Sequence, residues 1–407
     1  MNFVFVSPNF PRRYFKWVEA LKSRGINVLG IVDSPYYDLD PRLVNALTEI
    51  YFVYDMTNKT EMERAVGYFQ NKYGKIDFIE SNNEWWLEED ARLRAVFNVD
   101  SGFHPEDMAH IKAKSAMKEF FRKGGAKTMR YLLVHGPQDK EAALKFISEV
   151  GYPVFVKPDI GVGASESYSL KNREEVDAFF EKTLPEPYIM EEFVDGRIVS
   201  FDGICDSKGD VVFCCSDHFP IPIDRIVNEG LDHMYVNVPF SKPMIDVDAK
   251  EFEKVGRSVV KAFGIKRRFF HIEFFVLNHD KPGLAKKDEF VALECNMRAP
   301  GGYTPDLIDY GSSVSVYEIY ADIIAYDEIR NVNLNLPKYY AVASHRKDTL
   351  HYVHGVDEIY AKYGPHIKMS GRYPSHIAAV MGDWYVFACF DTIEEVREFD
   401  DFVRAKD

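Results

Sequence analysis

Glu294-Cys295-Asn296-Met297-Arg298 ends an apolar run that has the length of a β-strand. Side chains alternate between the two faces of a strand, so Glu294, Asn296 and Arg298 are predicted to point the same way. Glu273, in a second apolar run upstream, supplies another carboxylate. Two carboxylates and an amide oxygen form a hard, all-oxygen ligand set of the kind that holds Mg²⁺ together with nucleotide phosphates.

A structural interpretation of the same residues is open, in which they form a buried polar network between neighbouring strands. Buried carboxylates are costly unless they are paired or bind a metal, and three clustered acceptors without several basic partners favour a cation. Arg298 is then placed to neutralise charge during phosphoryl transfer to a carboxylate. It can also be a simple salt-bridge partner of these acceptors.

The composition of the 407-residue chain is that of a globular protein, with 46% apolar and 28% charged residues. The length predicts two to four folded units. The net charge of −14 argues against a general binder of nucleic acid or of anionic membranes, because such surfaces attract a positive field. A few local lysines still suffice to bind one polyphosphate.

No apolar run has the length needed to cross a bilayer. The first ten residues lack a basic leader and a small-residue cleavage site, so they are interpreted as a first strand. Five cysteines occur without any paired metal-binding spacing. Free thiols in a reducing compartment are the simplest account, and a cytoplasmic location is predicted.

The first hundred residues alternate apolar strands with amphipathic helices. Strands are predicted at 3–6, 26–32, 50–53 and 76–80, and helices at 13–24 and 60–72. Strand–helix–strand units with short connections favour a parallel, doubly wound sheet. The turn after the first strand, Ser7-Pro8-Asn9, has no glycine fingerprint, so dinucleotide binding is not supported.

The remaining sequence changes pattern. A small α+β unit follows, with helices predicted at 106–124, 139–150 and 172–182 and strands at 131–134, 153–157 and 188–192. From residue 198 strands dominate, notably 271–277 and 290–294, with one amphipathic helix over 247–263. The tail is predicted to combine strands at 340–343, 377–379 and 385–390 with an acidic helix from Thr392.

A glycine-rich turn follows Lys157, which closes an apolar strand. The turn is Gly161-Val162-Gly163-Ala164-Ser165. Glycines allow backbone amides to approach a phosphate closely, and a lysine adds a point charge. A Gly-x-Gly turn by itself is more often plain hairpin chemistry, but the lysine favours phosphate binding. The spacing is not that of a Walker loop.

Several other polar positions have two interpretations. The run Ile189–Gly196 is either a solvated edge strand or a hinge whose backbone pairs with an adenine edge. The turn at 299–306, with Gly301 and Gly302, leads into a helix whose N-terminus could hold a substrate carboxylate. His218 and the pair His345-Arg346 are more often surface or packing residues, although they are candidate substrate contacts. No nucleophile–base–orienter triad is evident.

The order of these motifs resembles the ATP-grasp superfamily, specifically its carboxylate–amine ligases for amino acids or dipeptides, which are related to biotin carboxylase and carbamoyl phosphate synthetase. The resemblance covers about residues 1–330. The segment Gly102–Glu106, followed by Ala113–Lys118, looks like the entry into the family's lid domain. One departure is Ile198, where family members usually place a glutamate that holds the ribose. Asp202 or His218 is then the alternative ribose ligand, unless the register slips by one residue.

The resemblance implies a role for each motif. The residues expected to bind the nucleotide are Lys114, Lys157, Gly161, Gly163, Ser165, Glu191, Glu192, Val194 and His218. The expected Mg²⁺ ligands are Glu273, Glu294 and Asn296, and Arg298 is the expected catalytic residue beside an acyl phosphate. The candidate substrate contacts are Glu84, Gly301, Gly302, His345 and Arg346.

The implied fold class is α/β and α+β with an ATP-grasp architecture. Residues 1–103 are expected to form an N-terminal domain with a doubly wound parallel sheet, and 104–190 a small α+β lid. Residues 191–334 are expected to form an antiparallel-sheet core with the Mg-ATP site, and 335–407 a C-terminal α+β subdomain.

The implied activity is ATP-dependent ligation, in which a carboxylate, expected to be an amino acid, is activated as an acyl phosphate and coupled to an amine. ATP and Mg²⁺, with Mn²⁺ as a substitute, are the expected cofactors. Small carboxylates and amines are the expected partners, with no nucleic acid and no membrane; a homodimer is allowed. Two alternatives stay open: a purine-pathway or carbamoyl-phosphate-synthetase-like enzyme, and a non-catalytic ATP-binding sensor or scaffold.

Overall fold

A computed structural model describes residues 1–161, 166–182, 184–221, 226, 229–374, 378 and 381–406. In these ranges no helix combines the length and the apolar character required to cross a membrane. The strands are β1 (Asn2–Val6), β2 (Asn27–Val32), β3 (Glu49–Phe52), β4 (Phe78–Glu80), β5 (Tyr131–Val134), β6 (Val154–Pro158), β7 (Tyr168–Leu170), β8 (Tyr188–Glu192), β9 (Gly196–Cys205), β10 (Val211–Phe219), β11 (Met234–Pro239), β12 (Arg268–Leu277), β13 (Phe290–Asn296), β14 (Tyr340–Arg346), β15 (Ile367–Arg372) and β16 (Trp384–Phe390).

The α-helices alternate with these strands in the first half of the chain and are fewer in the second. They are α1 (Phe15–Ser23), α2 (Pro41–Ala46), α3 (Lys59–Tyr73), α4 (Leu87–Phe97), α5 (Met108–Lys112), α6 (Lys114–Lys123), α7 (Lys140–Val150), α8 (Arg173–Phe180), α9 (Ala249–Ala262), α10 (Thr304–Ser312), α11 (Val316–Tyr326), α12 (Val356–Tyr363) and α13 (Ile393–Arg404).

The N-terminal sheet has four parallel strands in the order β3-β2-β1-β4. Strand β1 is apolar at successive positions because both of its faces are covered. Phe3 and Phe5 pack in the cluster that contains α1 and α11, whereas Val4 and Val6 pack against α3. The doubly wound parallel arrangement predicted from the alternating pattern is present.

A second, smaller sheet of four antiparallel strands has the order β5-β8-β6-β7. Val154, Val156 and Met190 face helices α7 and α8 and form a cluster of their own. Phe155 is the register partner of Glu191, so Lys157 and Glu191 share the face that lacks these helices. We call this unit the lid sheet.

The largest sheet has eight strands in the order β13-β12-β9-β10-β11-β14-β16-β15, all antiparallel. Helix α9 packs on one face, where its apolar stripe meets Phe201 and Phe270. The three C-terminal strands extend this sheet. The sheets therefore match the predicted fold class, while the domain boundaries at 103, 190 and 334 stay proposals.

One secondary-structure prediction needs correction, and another falls mostly outside the described residues. The single helix expected over 106–124 is broken at Ala113, whose backbone is extended with φ −84° and ψ 117°. Asp159 accounts for the break, because it accepts hydrogen bonds from the amides of Lys114 (2.9 Å) and Ser115 (2.8 Å) and so satisfies the start of α6. Of the strand expected at 377–379, only residue 378 lies in the described part, where it is helical.

A buried ionic network ties the N-terminal sheet to the largest sheet. Glu80, at the end of β4, pairs with Arg94 (Oε1–Nη2 2.9 Å) and with Arg268 at the start of β12. All three side chains are at most 6% exposed. Arg268 also donates from Nη1 to the carbonyl of Met297 (3.0 Å), so the network holds the segment that carries Arg298.

Replacing Glu80 by Gln should therefore destabilise the fold strongly, because two buried guanidinium groups lose their counter-charge. We expect a loss of about 3–5 kcal/mol in the free energy of unfolding, measured by urea denaturation. The matched control is Glu63→Gln, since Glu63 pairs with Arg92 while 41% exposed; it should cost less than about 1 kcal/mol. Equal effects of the two substitutions would contradict the importance of the buried network.

Candidate active site

The two predicted carboxylates face each other across β12 and β13. Glu273 is the register partner of Glu294, and His271 is that of Asn296. Directly opposed side chains in an antiparallel pair point to the same face, with Cβ atoms about 4.5–5.5 Å apart. The structure thus brings together all three oxygen-bearing side chains that the sequence proposed as metal ligands.

His271 is hydrogen-bonded to Glu273 and fixes its position. Its Nδ1–H donates to Asp202 Oδ1 (2.5 Å) and its Nε2–H donates to Glu273 Oε1 (3.2 Å). Burial opposes the charge on this imidazole, but Asp202 and Glu273 outweigh burial and raise the pKa of His271 to about 10. The histidine is therefore an imidazolium at neutral pH, and it lowers the pKa of Glu273 against the effect of burial.

The polar network continues across the sheet behind His271. Ser200 donates a hydrogen bond to Asp202, and the Ser200 hydroxyl accepts one from the amide of Asp217 (3.0 Å). Asn237 donates to Asp217 Oδ1 (2.9 Å), and burial raises the pKa of Asp217 well above its usual value. Asp202, proposed from sequence as a ribose ligand, is thus occupied by structural partners.

Two lysines approach the carboxylate pair from different elements. Lys114 Nζ, at the start of α6, lies 3.7 Å from Glu294 Oε1 and donates to the carbonyl of Gly161 (3.2 Å). Lys157 Nζ, on the lid sheet, lies 3.0 Å from Glu191 Oε2. Burial lowers the pKa of Lys157, but Glu191, Glu294 and Glu273 together raise it, so this ammonium faces the same site. Gly163 and Ser165 lie outside the described residues.

Arg298 follows directly after β13 and closes the other side of the site. Its Nη2 is 3.5 Å from Asn296 Oδ1, and its Nε is 3.4 Å from Glu84 Oε2. Glu84 Oε1 is also 3.2 Å from Lys112 Nζ. Glu84, a candidate substrate contact that begins a 3-10 helix (Glu84–Trp86) after β4, is therefore brought to the catalytic candidate Arg298. Tyr14, whose hydroxyl donates to Asn82 O (2.5 Å), lies nearby, and burial raises its pKa to about 12 against the opposing charge of Arg298.

The residues proposed as a hinge, where the lid sheet meets the largest sheet, differ in environment. Glu191 faces the site, where burial is outweighed by Lys118 and Lys157, so the pKa of Glu191 is lowered to about 2. Glu192 points to the other face and is held by Arg130, with Oε2 2.6 Å from Nη2. Val194 is buried in a small apolar cluster with Met129 and Leu277.

His218 is not brought to the site. It is the register partner of Val199 and Val236, whereas the site face of the same strand pair carries Asp217 and Asp202. Its side chain is 4% exposed, and neither ring nitrogen has a hydrogen-bond partner in the described part of the chain. Burial lowers the pKa of His218 to about 3, so the ring is neutral. The structure therefore gives no support for a ribose contact by His218.

The other substrate candidates are also dispersed. Arg346 donates to the carbonyls of Val403 (2.6 Å) and His354 (2.8 Å), which is a packing role in the C-terminal segment. His345 is fully buried and reaches Tyr373 Oη from Nε2 (3.2 Å). Gly301 and Gly302 are exposed in the turn after Arg298, and Gly302 has φ +62°.

The helix that follows this turn, α10, has a carboxylate of the protein itself in its first turn. Asp306, in the first turn of α10, is 1% exposed and pairs with Arg13 and Lys16. Tyr317 also donates to Asp306 Oδ2 (3.3 Å). An internal carboxylate thus lies in the first turn of α10, and binding of a substrate carboxylate at this helix N-terminus stays a prediction.

Sequence reasoning missed Lys112, Lys118 and His271. Lys112, Lys114 and Lys118 stand close together in the sequence, but only Lys114 was singled out because it matched a motif. His271 lies two residues before Glu273, the spacing that puts both on one strand face. That spacing was available from the sequence and is the signal that would have found it.

The donor set suits Mg²⁺. Within the described ranges no group of three or more His, Cys, Asp or Glu side chains could hold a metal ion. Glu273, Glu294 and the amide of Asn296 lie on one sheet face, and such a set leaves coordination positions of Mg²⁺ to water and phosphate oxygens. This is how Mg²⁺ binds in phosphoryl-transfer sites, with one or two carboxylates and the substrate phosphates.

Comparison with known proteins agrees with this geometry. Residues 125–277 match the family model described as an ATP-grasp domain. The L-arginine-specific L-amino acid ligase of Bacillus subtilis is 23% identical over 320 residues, which are 76% of this chain and 71% of the relative. The L-amino acid ligase of Bacillus licheniformis has a TM-score of 0.67 at 15% identity, covering 98% of this chain and 97% of that one.

A second solved structure with a similar fold has a differently named activity. It is the biotin carboxylase domain of the Hydrogenobacter thermophilus 2-oxoglutarate carboxylase in complex with MgADP, ADP and bicarbonate. Its TM-score is 0.68 at 16% identity, covering 97% of this chain and 88% of that one. The chain thus has the ATP-grasp fold, and the fold class and architecture predicted from its motifs are confirmed.

The buried His218 gives a pH-dependent prediction. Its folded pKa of about 3 lies below its unfolded value, so the unfolded chain binds the proton first as the pH falls below about 6.5. The stability contributed by the neutral ring is complete above that pH and is lost toward pH 3. Between pH 6.5 and 5 the loss is about 2 kcal/mol. His218→Phe should flatten this decline in urea denaturation.

The control for this measurement is His279→Gln, because His279 is 81% exposed. That variant should keep the pH dependence of the wild-type protein. If His218→Phe has the same decline as wild type from pH 6.5 to 5, the neutral buried state of His218 is wrong.

Proposed function

We propose that this protein is an ATP-dependent ligase that joins a carboxylate substrate, an amino acid, to an amine and releases ADP and phosphate. The observation that carries this proposal is the placement of Glu273, Glu294 and Asn296 on one sheet face between Lys114, Lys157 and Arg298. An all-oxygen metal site between cations is what phosphoryl transfer to a carboxylate requires.

The nucleotide would lie between the lid sheet and the largest sheet. Its adenine would pair with backbone groups of the hinge at 191–194, and its phosphates would meet Lys114 and Lys157. When bound at Glu273, Glu294 and Asn296, Mg²⁺ would neutralise phosphate charge. The hydrogen bond from His271 fixes the orientation of Glu273 for this task.

Arg298 would bind the substrate carboxylate and hold it in line with the γ-phosphate. A carboxylate oxygen attacks that phosphorus, the bond to ADP breaks, and an acyl phosphate forms. The amine then attacks the acyl carbon, phosphate leaves with the bonding electrons, and the amine gives up a proton. Arg298 would stabilise the oxyanion that forms between these events.

Glu84 would contact the amine substrate. Its carboxylate is 3.4 Å from Arg298, so a group bound by Glu84 lies beside a group bound by Arg298. Glu84 already pairs with Lys112 and Arg298, and the ammonium of an amino-acid or amine substrate would add a third cationic partner, which bicarbonate cannot supply. The names of the two ligase relatives agree with this class.

Two further expectations belong to this proposal. All five cysteines are free thiols, which is consistent with the proposed cytoplasmic location. A homodimer stays a prediction; the biotin carboxylase domain named above is described as a dimer.

The direct test is release of ADP and phosphate with a panel of amino acids, alone and in pairs, and with bicarbonate. Hydroxylamine should trap an acyl phosphate with the accepted carboxylate. EDTA should abolish turnover, and Mg²⁺ or Mn²⁺ should restore it. Turnover with bicarbonate alone would instead support a carboxylase-like reaction, and MgATP binding without any turnover would support a sensor.

Glu294→Gln should lower kcat at least about 100-fold, because the substitution removes an anionic metal ligand without changing side-chain size. The matched control is Glu289→Gln, since Glu289 lies just before the same strand and pairs with Lys127 while 43% exposed. That control should keep kcat within about twofold. A fully active Glu294→Gln enzyme is incompatible with the proposed metal site.

Arg298→Lys keeps the positive charge but removes the planar fork that binds a carboxylate in bidentate fashion. We expect the KM for the carboxylate substrate to rise and kcat to fall by about 100-fold, with the KM for ATP nearly unchanged. Steady-state kinetics with each substrate varied in turn will show this. A selective change in the KM for ATP would place Arg298 at the nucleotide instead.

A further inference from the structure

A buried cluster of three charged side chains lies where the lid sheet meets α6. Glu191 is 2% exposed and carries one lysine on each carboxylate oxygen. Lys118 pairs with Oε1, and Lys157 Nζ lies 3.0 Å from Oε2. Lys118 is 1% exposed. The cluster therefore has one more positive than negative charge and almost no access to water.

The three residues come from two parts of the fold. Glu191 and Lys157 belong to neighbouring strands of the lid sheet and share the face turned away from α7 and α8. Lys118 belongs to α6, whose buried residues Met117 and Phe121 pack in the core beneath the largest sheet with α9. The pair Lys118–Glu191 thus connects the lid sheet to the core helix.

Lys114 and Lys118 share α6 but have different surroundings. Lys114 lies beside Glu294 and the carbonyl of Gly161, in the proposed phosphate site. Among the described residues Lys118 pairs with a single carboxylate, that of Glu191. The ion pair with Glu191 is therefore sufficient to explain why Lys118 is buried, without any contact between Lys118 and a phosphate.

The charges around Glu191 change when Lys157 moves from Glu191 to a phosphate. An ammonium that leaves Glu191 for a phosphate oxygen would leave a buried carboxylate unpaired, which is strongly unfavourable. With Lys118 still on Oε1, Glu191 keeps a counter-charge throughout. Burial lowers the pKa of Lys118, but Glu191 opposes this effect.

We propose that Lys118 is a positioning residue for the nucleotide site, which neutralises Glu191 so that Lys157 can leave Glu191 and bind a phosphate. The inference rests on the proposed nucleotide site and adds a residue that does not itself contact the nucleotide. Lys118 acts on Lys157 through Glu191.

The test is calorimetric binding of MgADP and of adenosine to the full-length protein, without any ligase assay. Lys118→Met leaves Lys157 as the remaining counter-charge of Glu191 and so holds it there. We expect the affinity for MgADP to fall about 10-fold or more, while that for adenosine, which has no phosphate, changes less than about threefold. Lys123→Met is the control, because Lys123 lies on the same helix and is 55% exposed.

The decisive variant is the double substitution Lys118→Met with Glu191→Gln. It removes both members of the buried pair, so it folds without an orphan charge even if Lys118→Met alone does not, and it releases Lys157. MgADP affinity should return to within about threefold of wild type. Thermal denaturation of each variant records stability separately from binding.

Two results would overturn the proposal. Equal losses of MgADP and adenosine affinity in Lys118→Met would indicate a merely structural role. A double variant that still binds adenosine but not MgADP would show that the Glu191 charge does not restrain Lys157. A wild-type protein that binds neither ligand would contradict the proposed nucleotide site itself, and is distinguishable from both.

Discussion

The register of β12 against β13 is the constraint on which the rest of this structure depends. It sets Glu273 opposite Glu294, so two carboxylates share a small area of one sheet face. Like charges so placed repel each other unless cations surround them. The cations that do so come from three elements: His271 from the same strand, Lys114 from α6, and Lys157 from the lid sheet.

Three ionic contacts of the protein join its different units. Glu80 with Arg268 connects the N-terminal sheet to the largest sheet, and Glu84 with Arg298 connects the same two units at the site. Lys118 with Glu191 connects the core to the lid sheet. Each contact is formed by side chains from different units, so the site is complete only when those units are docked.

Side chains alternate between the two faces of a strand, and this alternation decides which site residues the sequence could predict. The spacing of Glu294, Asn296 and Arg298 predicted a shared direction, and Arg298 does lie 3.5 Å from Asn296. His218 was proposed as a ribose contact, but its side chain lies on the face opposite the site, because its neighbour Asp217 lies on the site face. A strand pattern fixes which residues share a face, whereas pairing with β9 fixes which face meets the site. The same limit applies to His345 and Arg346, which lie deep in the C-terminal packing.

The sequence by itself determined the alternation of strands and helices, the parallel N-terminal sheet and the polar residues on the strand of the proposed metal site, because these follow from local periodicity. Only the tertiary structure decided that Asp159 interrupts the helix at Ala113, that Asp306 occupies the start of α10, and that Lys118 is buried against Glu191. These outcomes depend on contacts between residues far apart in the chain. No local pattern encodes such contacts, since each partner is equally compatible with solvent until the units pack together.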